Sequence, residues 1–87
     1  MDFLSEFRGS IPDGSTRTWR IYGVPNNLMV LWAVMPIAAQ SSSRVSLDRV
    51  DVEHDGATNT HWLTISNDGS GNMIFDGVCV VFSGTLS

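Results

Sequence analysis

From residue 16 onward, apolar and polar positions alternate with a period of two along most of the chain. That period sends successive side chains to opposite faces of a β-strand. Residues 16–22 read Thr-Arg-Thr-Trp-Arg-Ile-Tyr, with Trp19 and Ile21 on one face and Thr18, Arg20 and Tyr22 on the other. Gly23 to Asn27 breaks the run. Residues 28–37 then form a strand that is apolar on both faces, with Pro36 marking its end or an edge position. A polar loop, 40–43, leads to a valine-rich strand over 44–54. Its apolar phase changes between Leu47 and Val50, which predicts a bulge near Asp48 and Arg49. A turn over 55–59, a strand over 60–67, a turn over 68–71 and a strand over 72–83 complete the chain. The last strand is again apolar on both faces between Val78 and Phe82.

The first residues read differently. Asp2 can cap a single helical turn in which Phe3 and Phe7 share a face at i, i+4. The expectation is an N-terminal arm and linker over 1–15 and one β-domain over 16–87. Five or six short strands separated by turn signals predict an all-β, antiparallel β-sandwich.

Strands apolar on both faces are the most informative feature. A strand in a two-sheet sandwich needs only one apolar face. The second must be covered, and a short arm is too small to cover two long strands. Another copy of the chain is the economical cover, so a homo-oligomer is expected. Length points the same way. A chain of 87 residues has a marginal core of its own. Cys79 is the only cysteine, so no disulfide within the chain reinforces it.

Nine acids against five bases give a net charge of −4, and the five bases are scattered arginines. Binding driven by attraction to phosphate, whether of nucleic acid or of an anionic membrane, is not expected. The longest apolar run, 28–39, is too short to span a bilayer as a helix and contains Pro36. No signal peptide is readable at the N-terminus, and a lone cysteine in an apolar run suits a soluble chain in a reducing compartment.

Several residue groups invite a chemical reading. Asp51-Val52-Glu53-His54-Asp55-Gly56 resembles the opening of a calcium loop, but Trp62 occupies the position of the closing bidentate acid. His54 and His61 flank a short connection and would be cross-strand neighbours in a simple hairpin. Two histidines do not complete a structural zinc site, so they read as solvated strand-end residues. No metal and no cofactor are expected. Neither a G-x-S-x-G elbow nor a phosphate-cradling glycine loop is present, and Cys79 sits in an apolar strand where its thiolate is disfavoured. The chain therefore reads as a non-enzyme.

A binding surface is left. Asn59, Asn67, Asp68 and Asn72 lie in or beside turns, where they either form the turns or meet the hydroxyls of a sugar. Trp62 and Tyr22 are candidates for the ring that covers a sugar's apolar face. Trp62 falls with Thr60 and Thr64 on the face opposite His61, Leu63 and Ile65. Core or interface filling is the competing role for Trp62.

Residues 31–36, Leu-Trp-Ala-Val-Met-Pro, together with 60–67 and with Phe75 and 78–82, resemble small bacterial β-sandwich modules. The strand order and length resemble H-type lectin domains. That resemblance implies a six-stranded sandwich that assembles into trimers or hexamers and binds galactose-type sugars. It carries over no individual sugar-contacting residue. The expected function is a non-catalytic, lectin-like recognition module acting as a multivalent homo-oligomer on glycans. A structural assembly subunit of the phage or secretion-apparatus kind is the alternative, and an enzyme completed across subunits a third.

Overall fold

A computed structural model describes residues 2–38 and 44–82. Six antiparallel strands follow in chain order: β1 Asp2–Ile11, β2 Thr16–Pro25, β3 Met29–Ala38, β4 Val45–Asp55, β5 Thr58–Asn67 and β6 Met73–Phe82. They form two three-stranded sheets, β1-β6-β3 and β2-β5-β4. The last strand of each sheet in chain order, β6 or β5, is the central one. Pro36 lies on β3, an edge strand, where its missing N–H breaks no ladder bond on the open side.

The expected bulge is present. The β4–β5 register shifts between Leu47 and Arg49, leaving Asp48 as the additional residue. Its carboxylate accepts hydrogen bonds from Ser46 Oγ (2.6 Å) and from Ser66 Oγ, and Ser66 also meets Thr16 Oγ1 at 2.8 Å. Those donors, Ser46 foremost, hold the Asp48 carboxyl below the usual carboxylate range. The β4–β5 connection is a two-residue hairpin, Gly56-Ala57, with Gly56 at φ +68°.

The N-terminus departs from expectation. Residues 2–11 are neither a helical turn nor an arm; they are β1, paired along its length with β6. A spacing of four suits one turn of a helix, but here it falls in a bulged strand, where Phe3 and Phe7 pair with Val80 and Gly77, three apart on β6. The unpaired backbone of β6 decides between them, because a central strand needs hydrogen bonds on both sides. A second bulge, between Ser5 and Phe7, sets Phe7 opposite Gly77.

That pairing locks the two sheets together. The Phe7 ring lies directly over Gly77, where an added Cβ would fall within the ring. From there Phe7 stacks on Trp19 of the other sheet (5.9 Å between centroids, 26° between planes) and meets Phe75 edge-on at 5.9 Å. Trp19 in turn meets Phe75 edge-on at 5.1 Å. Gly9 leaves room for the same two rings, with Phe75 Cζ and Trp19 Cζ2 each 2.9 Å from where its Cβ would stand. Beside this cluster, Ile11, Leu63, Ile65, Met73 and Phe75 form the buried core, drawn from both sheets.

The core fills only one half of the space between the sheets. Toward the Gly56-Ala57 hairpin the inner positions open to solvent. Val50 and Val52 share the inner face of their sheet with Leu63 and His61, yet are 41% and 57% exposed. Ile21, Val24, Leu28, Val30, Trp32, Cys79 and Val81 line an apolar groove of about 200 Å³ at this splayed end. The closed end is tied by backbone bonds instead: Gly14 N to Asn67 O, Asn67 N to Ser15 O and Asp68 N to Arg44 O, each 2.9 Å.

Gly77→Ala forces the Phe7 ring off its seat and is expected to cost about 1–3 kcal/mol, the range for overpacking a fitted core. Phe7→Ala is expected to cost about 3–5 kcal/mol. Urea unfolding of both variants checks this, and a Gly77→Ala protein as stable as wild type would contradict the interlock.

Candidate functional site

Strand β5 positions the site. Its residues alternate cleanly: His61, Leu63 and Ile65 point inward and are buried, while Trp62 and Thr64 point outward and are partly exposed. Being central, β5 presents each outward residue between one partner on β2 and one on β4. Trp62 lies between Arg20 and Asp51, and Thr64 between Thr18 and Arg49. These two rows place an indole ring, two guanidinium groups, a carboxylate and two hydroxyls on one flat face.

Trp62 is held from two sides. The Arg20 guanidinium carbon sits 4.9 Å from the centroid of the Trp62 ring and 4.9 Å from that of Tyr22, so one cation bridges both aromatics. On the other flank, Trp62 Nε1–H donates to Glu53 Oε1 at 3.2 Å. Arg49 Nε–H donates to Asp51, with 2.8 Å to Oδ2 and 3.0 Å to Oδ1. An open depression beside the ring is lined by Thr18, Arg49, Asp51, Val52, Glu53, Trp62 and Thr64. It offers carboxylate acceptors, guanidinium donors and hydroxyls around one apolar ring.

The expected contact residues do not form one group. Trp62 and Tyr22 come together through Arg20. Asn59 lies further toward the hairpin, opposite Val24 and His54, with its Oδ1 3.4 Å from His54 Nδ1. Asn67, Asp68 and Asn72 are at the closed end, about 17–20 Å or more from Trp62 at the rise of a strand. Asp68 and Asn72 are exposed there. Asn67 is fully buried, and its side chain is committed to the fold. Its Nδ2 donates to Ile11 O (3.0 Å) and Gly71 O (2.8 Å), and its Oδ1 accepts from Gly69 N–H (3.0 Å). Turn chemistry, rather than ligand contact, accounts for Asn67.

The two histidines also part company. With a two-residue hairpin, His54 pairs with Asn59 and His61 with Val52, so they are not cross-strand neighbours. His54 is exposed, whereas His61 is only 4% exposed. Trp32 Nε1–H reaches across from the other sheet and donates to His61 Nδ1 at 2.7 Å. That bond assigns the proton of the neutral imidazole to Nε2, and burial lowers the His61 pKa from its ordinary value. Asp51 and Glu53, weighed above for a cation, instead engage Arg49 and Trp62. Among the described residues no three His, Cys, Asp or Glu side chains converge to hold a metal ion.

Arg20, Arg49, Thr18 and Thr64 were not singled out from the sequence as contact residues, and Glu53 was weighed only for a cation. Their signal is the register that sets them beside Trp62, and it becomes legible only once the order β2-β5-β4 is known. No helix among the described residues is long and apolar enough to cross a membrane. Comparison with protein-family models, with curated proteins and with solved structures yields no match.

His61 makes stability depend on pH. Its folded-state pKa lies below the unfolded value of about 6.5. Its contribution is therefore complete above that pH and is lost as pH falls, because the unfolded chain takes up the proton first. Thermal melts between pH 8 and 5 are expected to show Tm falling below about pH 6.5. In His61→Asn, which keeps an acceptor for the Trp32 indole, that slope is expected to vanish. An unchanged slope in the variant would contradict the assignment.

Proposed function

We propose that this chain is a non-catalytic recognition module of β-sandwich architecture that binds carbohydrate on the outer face of β2-β5-β4 and acts as a homo-oligomer. The observation that carries the reading is Trp62, an indole held outward by Arg20 and Glu53 beside a depression of polar side chains. Pyranose rings present an apolar C–H face and a rim of hydroxyls. An aromatic ring covers the first, and carboxylates, guanidinium groups and hydroxyls bond the second. Asp51 and Glu53 supply acceptors, and Arg49 supplies donors. The resemblance to H-type lectin domains supports the same ligand class.

Such a site is shallow, so each contact is weak. Several sites on one oligomer, engaging a glycan surface together, raise avidity by about 10²–10⁴. The alternative reading, a structural assembly subunit with no small ligand, draws on a separate observation. Leu31, Met35, Ile37 and Met29 of β3 are 55%, 47%, 45% and 39% exposed, a surface suited to assembly.

Trp62→Ala separates the two readings. In a glycan-binding module it is expected to abolish retention on a glycan array while lowering stability by about 1 kcal/mol or less, since the ring faces outward. Wild-type protein that binds no glycan, with a variant destabilised by about 3–5 kcal/mol, would leave the assembly subunit in front.

A further inference from the structure

A buried imidazole joins the two sheets at the splayed end. His61 sits on the inner face of β5, 4% exposed, and accepts the Trp32 Nε1–H at 2.7 Å from the opposite sheet. Its lateral neighbours are Ile21 on β2 and Val52 on β4. On the facing sheet, Trp32 pairs with Cys79 of β6, and its ring centroid lies 6.3 Å from that of Phe7. No carboxylate is among these neighbours. Asp51, Glu53 and Asp55 fall on the outward phase of β4, and on β2 the Arg20 guanidinium meets the Tyr22 ring. Three further titratable groups lie at this end. Cys79 is buried beside Trp32. His54 is exposed and pairs with Asn59, two positions beyond Val52. Asp2 is in register with Val81, two positions beyond Cys79.

We infer that the Trp32–His61 bond is an acid-operated latch: a proton on His61 releases Trp32 and opens the groove at this end, while the closed end stays folded. Nδ1 accepts a hydrogen bond only while it is unprotonated, and imidazolium carries an N–H on both nitrogens. Two donors would then face each other at the 2.7 Å of this contact. The cation has no carboxylate beside it to offset its burial, so it must reach water. The half-open gap supplies that water, since Val52, next to His61, is 57% exposed. The closed end is independent of the latch. The buried core runs from Leu63 to Ile11, Ile65, Met73 and Phe75, and Asn67 exchanges backbone bonds with Gly14 and Ser15 there. At the latch end the 26–28 connection ties β2 to β3, with Asn26 N–H donating to Ala57 O at 3.3 Å. Opening therefore widens the groove without parting the sheets.

Cys79 reports the opening, because it lines the groove beside Trp32 and is 4% exposed. The test is its rate of reaction with a pyridyl disulfide, a reagent that stays reactive in acid, between pH 8 and 5 in wild type, His61→Asn and Trp32→Phe. Hydrogen exchange at the Gly14 and Asn67 amides follows the closed end alongside. His61→Asn keeps an acceptor for the indole and takes up no proton. Dividing the wild-type rate by this variant's cancels the reagent's own pH dependence and any acid response of His54 or Asp2. That ratio is expected to rise by about 30-fold from pH 8 to pH 5, the limit for an imidazole that regains its ordinary pKa of about 6.5 on release. Trp32→Phe has no indole N–H to hold, so it is expected to react faster than wild type at pH 8. The wild-type rate divided by that of Trp32→Phe is expected to rise toward acid in the same direction, since only wild type has the bond to lose. The Gly14 and Asn67 amides are expected to stay protected throughout. A ratio to either variant that is flat in pH overturns the inference. So does loss of Gly14 and Asn67 protection in step with Cys79 reaction, which would mean that acid unfolds the whole domain.

Discussion

Everything in this fold depends on one contact, the Phe7 ring seated on Gly77. Sheets attract through side chains that interdigitate, and a chain of this length has few to offer. Seven apolar side chains are buried among the described residues, too few to hold two sheets in register by area alone. The missing specificity comes from shape. Glycine at 77 and at 9 lets three rings approach more closely than any side chain at those positions would allow. Phe7 then bridges to Trp19, and Trp19 to Phe75, so both sheets meet around one aromatic cluster. Glycine within a strand normally weakens it; here the ring that covers it restores the packing.

A core confined to one half leaves the other half with little buried apolar surface. Toward the hairpin the inner valines are wet, and the Trp32–His61 hydrogen bond is a polar link across the gap. A buried imidazole between sheets is a fastener that works only when neutral. The two outer faces differ in character: that of β2-β5-β4 carries Arg20, Arg49, Asp51, Glu53 and Trp62, while β3 exposes Met29, Leu31, Met35 and Ile37. Under the proposed reading the first meets ligand.

Much of this was legible in the sequence. Alternation located strands β2 to β6 to within a few residues, and the phase slip between Leu47 and Val50 located the bulge at Asp48. The same alternation set Trp62 on the face opposite His61, but the reading of His61 as a solvated strand-end residue is overturned by its burial at 4% exposure. What it missed has definite physical causes. Phe3 and Phe7 are four apart, one turn of a helix, and that spacing shows neither the bulge between Ser5 and Phe7 nor the demand of β6 for a second partner. Asn67 carries the residue type of both a sugar ligand and a turn former, and only its burial against Ile11 and Gly71 separates the two. The Arg20–Trp62–Glu53 group joins three strands, and sequence periodicity says nothing about which strands adjoin.

The multivalent reading is tested most directly by measuring wild-type binding to one glycan twice, once as a soluble monovalent sugar and once as a dense surface. The account predicts weak binding of the soluble sugar and retention on the dense surface stronger by about 10²-fold or more, because several sites of one oligomer engage together. Equal strength in the two formats would contradict it.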